Sequence, residues 1–112
     1  MYVISLENSP GIPGPYPGIE HHPLADVKTG LPEFEVIYST TGKGCIGSNH
    51  SHPHSAHVQI VLEGSLRINT TGGKSFDVPA GSAICIKPGE EHEVVNTFDG
   101  TTHYIVVYAP PR

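Results

Sequence analysis

Turn residues recur along the second half of this chain at intervals too short for a helix. Gly64, Gly72-Gly73, Pro79-Ala80-Gly81, Pro88-Gly89 and Asp99-Gly100 leave stretches of five to nine residues between them. A helix needs roughly 10 residues or more and caps at its ends, whereas a strand needs only about 4–8. The stretches alternate in polarity or are rich in β-branched residues, as strands are. Strands are therefore expected at Phe34–Thr41, Ala56–Leu62, Ser65–Thr70, Lys74–Val78, Ser82–Ile86, His92–Thr97 and Thr102–Tyr108. Gly 13 and Pro 11 in 112 residues point the same way, since both break helices and build tight turns. With one more short strand expected in residues 1–8, the reading is an all-β chain, a small β-barrel or jelly roll.

A chain of 112 residues makes one structural domain. Residues 1–33 read as an N-terminal strand and a Pro/Gly-rich arm, and residues 34–112 as the barrel. In Pro10–Gly18, PGIPGPYPG, the prolines remove backbone donors and fix φ. That piece is expected to be an extended connector crossing the barrel or reaching a second subunit. His21 and His22 follow it, and are expected at the surface or closing over a pocket mouth.

Charge and hydropathy exclude several classes of function. The net charge is −5 with only six Lys and Arg, and no basic stripe exists for nucleic acid. No apolar run approaches the ~18 residues that span a bilayer. The start, MYVISLENSP, lacks a basic segment followed by an apolar one, so a cytoplasmic location is expected. Cys45 and Cys85 are too few for a disulfide framework and are expected to be reduced, buried thiols.

Chemistry concentrates between Gly44 and Gly64, in GCIGSNHSHPHSAHVQIVLEG, where His50, His52, His54 and His57 fall within eight residues. Neutral imidazole is the commonest protein ligand for transition metals. Side chains alternate across an extended segment, so His50 and His52 point the same way and can reach one ion. The next strand presents His57, Gln59 and Val61 on one face and Val58, Ile60 and Leu62 on the other. A further candidate ligand, His92, comes from far along the chain.

These positions resemble the two motifs of the cupin superfamily. Gly44, five residues, His50-x-His52, four residues, His57, six residues and Gly64 are similar to the first motif. Gly81, seven residues, Gly89, two residues, His92, three residues and Asn96 are similar to the second. Two positions depart: His57 stands where the family usually has glutamate, and Lys87 where it usually has proline. The resemblance covers about residues 36–108 and implies a cupin jelly roll with a metal held by His50, His52, His57 and His92. It also implies that the protein pairs as a homodimer.

An ion held by four neutral imidazoles keeps its full charge and pulls harder on anionic oxygen than one with a carboxylate ligand. An all-nitrogen site suits Zn, Fe, Ni or Cu, and by family habit Mn. Such an ion with open positions would activate a small oxygenated organic substrate as a Lewis acid, giving an isomerase, lyase or cyclase. Similar all-histidine cupins include cyclase-like and oxidative C=C-cleaving members, so a dioxygenase is the alternative, and a non-catalytic binder the third reading. Candidates for moving a proton are His54, Tyr38 and Tyr104. Gln59 and His103 are candidates for the substrate pocket.

Overall fold

The computed structural model describes residues 1–112. The strands are β1 (Ile12–Pro13), β2 (Ile19–Ala25), β3 (Glu35–Thr41), β4 (Ile46–His50) and β5 (Ala56–Glu63). They continue with β6 (Ser65–Thr70), β7 (Ser75–Pro79), β8 (Ala83–Ile86), β9 (His92–Asn96) and β10 (Thr102–Ala109). Two antiparallel sheets form, one ordered β1-β2-β3-β10-β5-β8 and one ordered β4-β9-β6-β7. The only helical piece is a 3-10 turn, Val27–Thr29, closed by an Asp26 capping box. The fold is the double-stranded jelly roll expected from the turn spacing.

Alternation along each strand builds the core. β5 buries His57, Gln59 and Val61, while Ile60 and Leu62 face outward and are exposed. β3 and β10 add Ile37, Tyr104, Val106 and Tyr108 to the inner face of the large sheet. Leu66, Ile68, Val78 and Val94 meet them from the small sheet. Burying each such side chain stabilises the fold by about 1.5–3 kcal/mol relative to exposure. Polar inward residues flank this core, with His57, Gln59 and His92 toward one end and Thr41, Asn96 and Thr102 at the other.

Asn96 ties the two sheets together. Its Nδ2 donates to the carbonyls of Thr41, Gly42 and Gly100, and its Oδ1 accepts from Phe98 N–H and the Thr102 hydroxyl. The amide is buried and fully paired, so it fixes where β3 ends and where β10 begins. Gly64 completes this corner. It adopts φ +90°, and a Cβ there would lie 2.4 Å from Thr102 Oγ1. Only glycine tolerates both conditions.

Four features differ from the sequence expectation. Residues 1–8 form no strand; they run beside β2, with the Tyr2 hydroxyl donating to Leu24 O. The segment after the prolines forms β2, a seven-residue strand paired with β3. Pro23 is accommodated because β1 covers β2 only at Glu20 and His21, leaving that edge unpaired at residue 23. β4 escapes a pattern search because Gly47, Ser48 and Asn49 carry no apolar alternation, yet it pairs with β9. Of the cysteines, both are free; Cys45 is buried, but Cys85 lies exposed on the outer side of β8, against expectation.

Candidate metal centre

Four imidazoles converge at one polar end of the sandwich. β4 ends at His50 and β9 begins at His92, and the two are direct cross-strand partners. Their ring centroids lie 4.5 Å apart. His52, in the loop that leaves β4, sits 5.0 Å from His50 and 5.2 Å from His57, ring to ring. His57 opens β5 in the opposite sheet and faces inward, 5.1 Å from His92. One nitrogen each from His50, His52 and His92 lies within 4.8 Å of the others. His57 stands beside this trio but outside that limit.

Hydrogen bonds set which nitrogens are free. His50 Nδ1 pairs with Ser48 O at 2.8 Å, and His92 Nδ1 with Glu90 O at 2.9 Å. A carbonyl can only accept, so both Nδ1 atoms carry the proton and both Nε2 atoms offer a lone pair. His52 Nε2, His57 Nδ1 and His92 Nε2 are buried with no hydrogen-bond partner. Gln59 Nε2 approaches His57 Nε2 at 3.4 Å. Burial, reinforced by the neighbouring imidazoles and Arg112, lowers His52 to about 4 and His57 to about 3. Burial likewise lowers His92. His52, His57 and His92 are therefore neutral at pH 7, the form that donates to a metal.

A cavity of about 300 Å³ opens onto His50 and His52. Gln59, Tyr104 and Tyr108 line it from the large sheet, His21 from β2, and Tyr16 from the proline-rich arm. Tyr16 lies over Gly47, where a Cβ would meet its ring at 3.3 Å. The missing side chain thus lets the arm seat Tyr16 at the cavity, with its hydroxyl 3.3 Å from His50 Nδ1. Burial raises the phenols of Tyr104 and Tyr108. His21 Nδ1 is 2.8 Å from Ser39 Oγ, and burial and then Arg112 lower its pKa. His92 also borders a second cavity, of about 500 Å³, between β6, β7 and β8.

Several sequence candidates fall into place here and others do not. Gln59 and Tyr104 line the cavity. Tyr38 and His103 do not, because strand alternation turns both to the outer face of the large sheet. There the Tyr38 hydroxyl pairs with His103 Nδ1, with the His103 ring stacked on it and the His22 ring beside it. His54 is exposed in the loop between β4 and β5, away from the cavity lining. The structure places none of these three on the cavity at this centre. His21 is half-buried on the cavity rather than at the surface, whereas His22 pairs with Ser9 O and Glu20. Tyr16, Tyr108 and Arg112 were not singled out in the sequence. Tyr108 was the most legible of them, being two and four residues from the inward Val106 and Tyr104.

The sequence profile of the cupin domain matches residues 37–108. The chain belongs to the cupin family. None of the curated proteins matches it in sequence. Among solved structures, this cupin is similar to the polyketide cyclase RemF from Streptomyces resistomycificus, with 25% identity and a TM-score of 0.86 over 97% of this chain and 79% of that one. It is similar to KdgF from a Halomonas species at 18% identity and TM-score 0.80, covering 95% and 92% of the two chains. It is also similar to ectoine synthase from P. lautus at 18% identity and TM-score 0.83, covering 100% and 80%. The last two likenesses are likenesses of fold.

Cupin membership implies a metal, and the donors here fit one. Buried polar atoms normally find partners, and leaving one without costs roughly 1–3 kcal/mol. Three unpaired nitrogens on adjacent neutral imidazoles are what a divalent transition-metal ion would satisfy. The carbonyls that hold His50 and His92 by Nδ1 are the outer partners that orient a ligating ring.

Proposed function

We propose that this cupin is an enzyme in which His50, His52, His57 and His92 hold one divalent transition-metal ion, and that it acts on a small oxygenated organic molecule by Lewis-acid chemistry of the isomerase, lyase or cyclase type. The observation that carries the reading is the set of unpaired, buried nitrogens on His52, His57 and His92, beside a cavity that His50 and His52 line together with His21 and Tyr104. The likeness to RemF, a polyketide cyclase, supports the cyclase end of this range.

The ion, when bound, would acidify a carbonyl-bearing substrate by stabilising negative charge on its oxygen. The chain's own residues then divide the remaining work. His21 is neutral at pH 7, and in the tautomer whose Nδ1–H donates to Ser39 Oγ its Nε2 has the lone pair that takes a proton from the substrate's carbon acid and returns it. Tyr104, kept protonated by burial, acts as a hydrogen-bond donor and not as a base. Gln59 holds the His57 ring from the cavity side. Tyr16 covers the mouth and limits water entry.

The test is elemental analysis of protein purified without added metal, combined with proton exchange and oxygen uptake on a 1,3-dicarbonyl probe. The expected result is close to one equivalent of a first-row transition metal, exchange of the central proton, and no oxygen consumption. Oxygen uptake would move the reaction to the dioxygenase class, and absence of metal would overturn the reading. The same reading includes a homodimer, since Ile60 and Leu62 leave the outer face of β5 apolar and exposed, a surface that a second copy would cover. A molar mass of one chain in solution by light scattering would exclude it.

A further inference from the structure

Arg112 is the one Lys or Arg on the cavity, and no Asp or Glu lines it. That is unusual placement in a chain with a net charge of −5. Two contacts hold the guanidinium. Nε and Nη2 donate to the two carboxylate oxygens of Glu35 at 3.1 and 3.3 Å, a bidentate fork. The Cζ also lies 4.6 Å from the centroid of the Tyr108 ring. Nη1 and the second hydrogen of Nη2 have no partner in the protein, since a guanidinium carries five N–H donors and only two are engaged.

The distances relate Arg112 to the histidines through a single ring. Tyr108 lies 5.0 Å, centroid to centroid, from both His52 and His57. Arg112 stacks on the same ring. Tyr108 thus connects the imidazoles to the guanidinium, and Tyr16 lines the same cavity.

Resting on the function proposed above, we infer that Arg112 is the specificity-determining residue of this cupin, and that it selects a planar, conjugated substrate bearing a carboxylate at the end away from the histidine-bound oxygen. Glu35 occupies one edge of the fork, and the free donor edge receives the carboxylate. Arg112 is a positioning residue: it orients the substrate and takes no part in moving the proton.

The probes are 4-hydroxybenzoate and its methyl ester, which share the ring, carry the hydroxyl and the carboxyl at opposite ends, and differ in the charge. Binding is followed by NMR titration of the metal-free protein, so the result does not depend on whether the metal-centred reaction proposed above is correct. The wild type is expected to bind the acid about tenfold or more tightly than the ester, as a charge-assisted hydrogen bond predicts. Arg112→Gln, which keeps donors but removes the charge, is expected to erase that preference, the acid losing about tenfold or more and the ester far less. Glu35→Gln breaks the same ion pair but keeps the cation, so the preference should persist or grow. Equal binding of acid and ester by the wild type overturns the inference. So does loss of the preference in Glu35→Gln to the extent seen in Arg112→Gln, because the ion pair would then serve only the fold.

Discussion

His50 and His92 face each other across the β4–β9 pair as direct Cα partners, with ring centroids 4.5 Å apart. Forty-two residues separate them in the chain, and a single register of one antiparallel ladder brings them together. Each ring is fixed by an Nδ1–H bond to a carbonyl two residues earlier, Ser48 for one and Glu90 for the other. Both strands therefore deliver an imidazole in one tautomer, with Nε2 free for an ion.

Replacing His50 by alanine removes one member of the closest trio of nitrogens. His50→Ala is expected to lose most bound metal while the jelly roll survives, since His50 is only half-buried and outside the hydrophobic core. Metal content by mass spectrometry of purified protein, with circular dichroism for the fold, checks it. Undiminished metal would remove His50 from the centre.

His57→Glu puts a carboxylate beside the rings of His52 and His92. The variant should retain metal, because an anionic oxygen is a good ligand for the same ions, but its rate and pH–rate profile should change as the centre loses one unit of positive charge. An unchanged profile would argue that position 57 does not ligate.

Asn96→Ala would strand the carbonyls of Thr41, Gly42 and Gly100 and the Phe98 N–H in a buried corner. With several unsatisfied groups at roughly 1–3 kcal/mol each, a loss of about 3 kcal/mol or more is expected. Urea unfolding measures it; a change below about 1 kcal/mol would mean that water or relaxation replaces these bonds.

Metal-free protein should lose stability in mild acid. His52 and His57 are held at about 4 and about 3 by burial and by the surrounding imidazoles, against 6.5 when unfolded. As pH falls below 6.5 the unfolded chain takes up protons that the folded chain refuses, so folding weakens between 6.5 and about 3. Above 6.5 both states are neutral here and these two groups add no slope. Added metal should raise the melting temperature most near neutral pH, where protons do not compete for the nitrogens. A metal-free melting temperature flat from pH 7 to 4 would contradict these shifts.

Tyr38→Phe and His54→Ala should leave activity within about twofold of wild type, because one lies on the outer face and the other in an exposed loop. A loss of tenfold or more in either would place a functional site outside the cavity described.

Much of this protein was legible in the sequence because strands and turns are local. Gly64, Gly72-Gly73 and Pro88-Gly89 marked the corners, and two-residue alternation told that His57 and Gln59 would face inward with Val61. The same rule could not assign Tyr38 or His103 to a face, because neither strand shows a clean apolar–polar contrast: Val36 and Ile37, or Ile105 and Val106, are apolar on both sides. β2 and β4 were hidden for a related reason. They are strands because β3 and β9 supply partners for their backbones, and not because their own side chains favour it. The residue types therefore determined that the chain would fold as short strands and carry a set of histidines suited to a metal. Only the pairing of distant strands decided what surrounds those histidines, placing Tyr16, His21, Tyr108 and Arg112 on the cavity and keeping His54 away, since such juxtapositions depend on long-range register that no local pattern encodes.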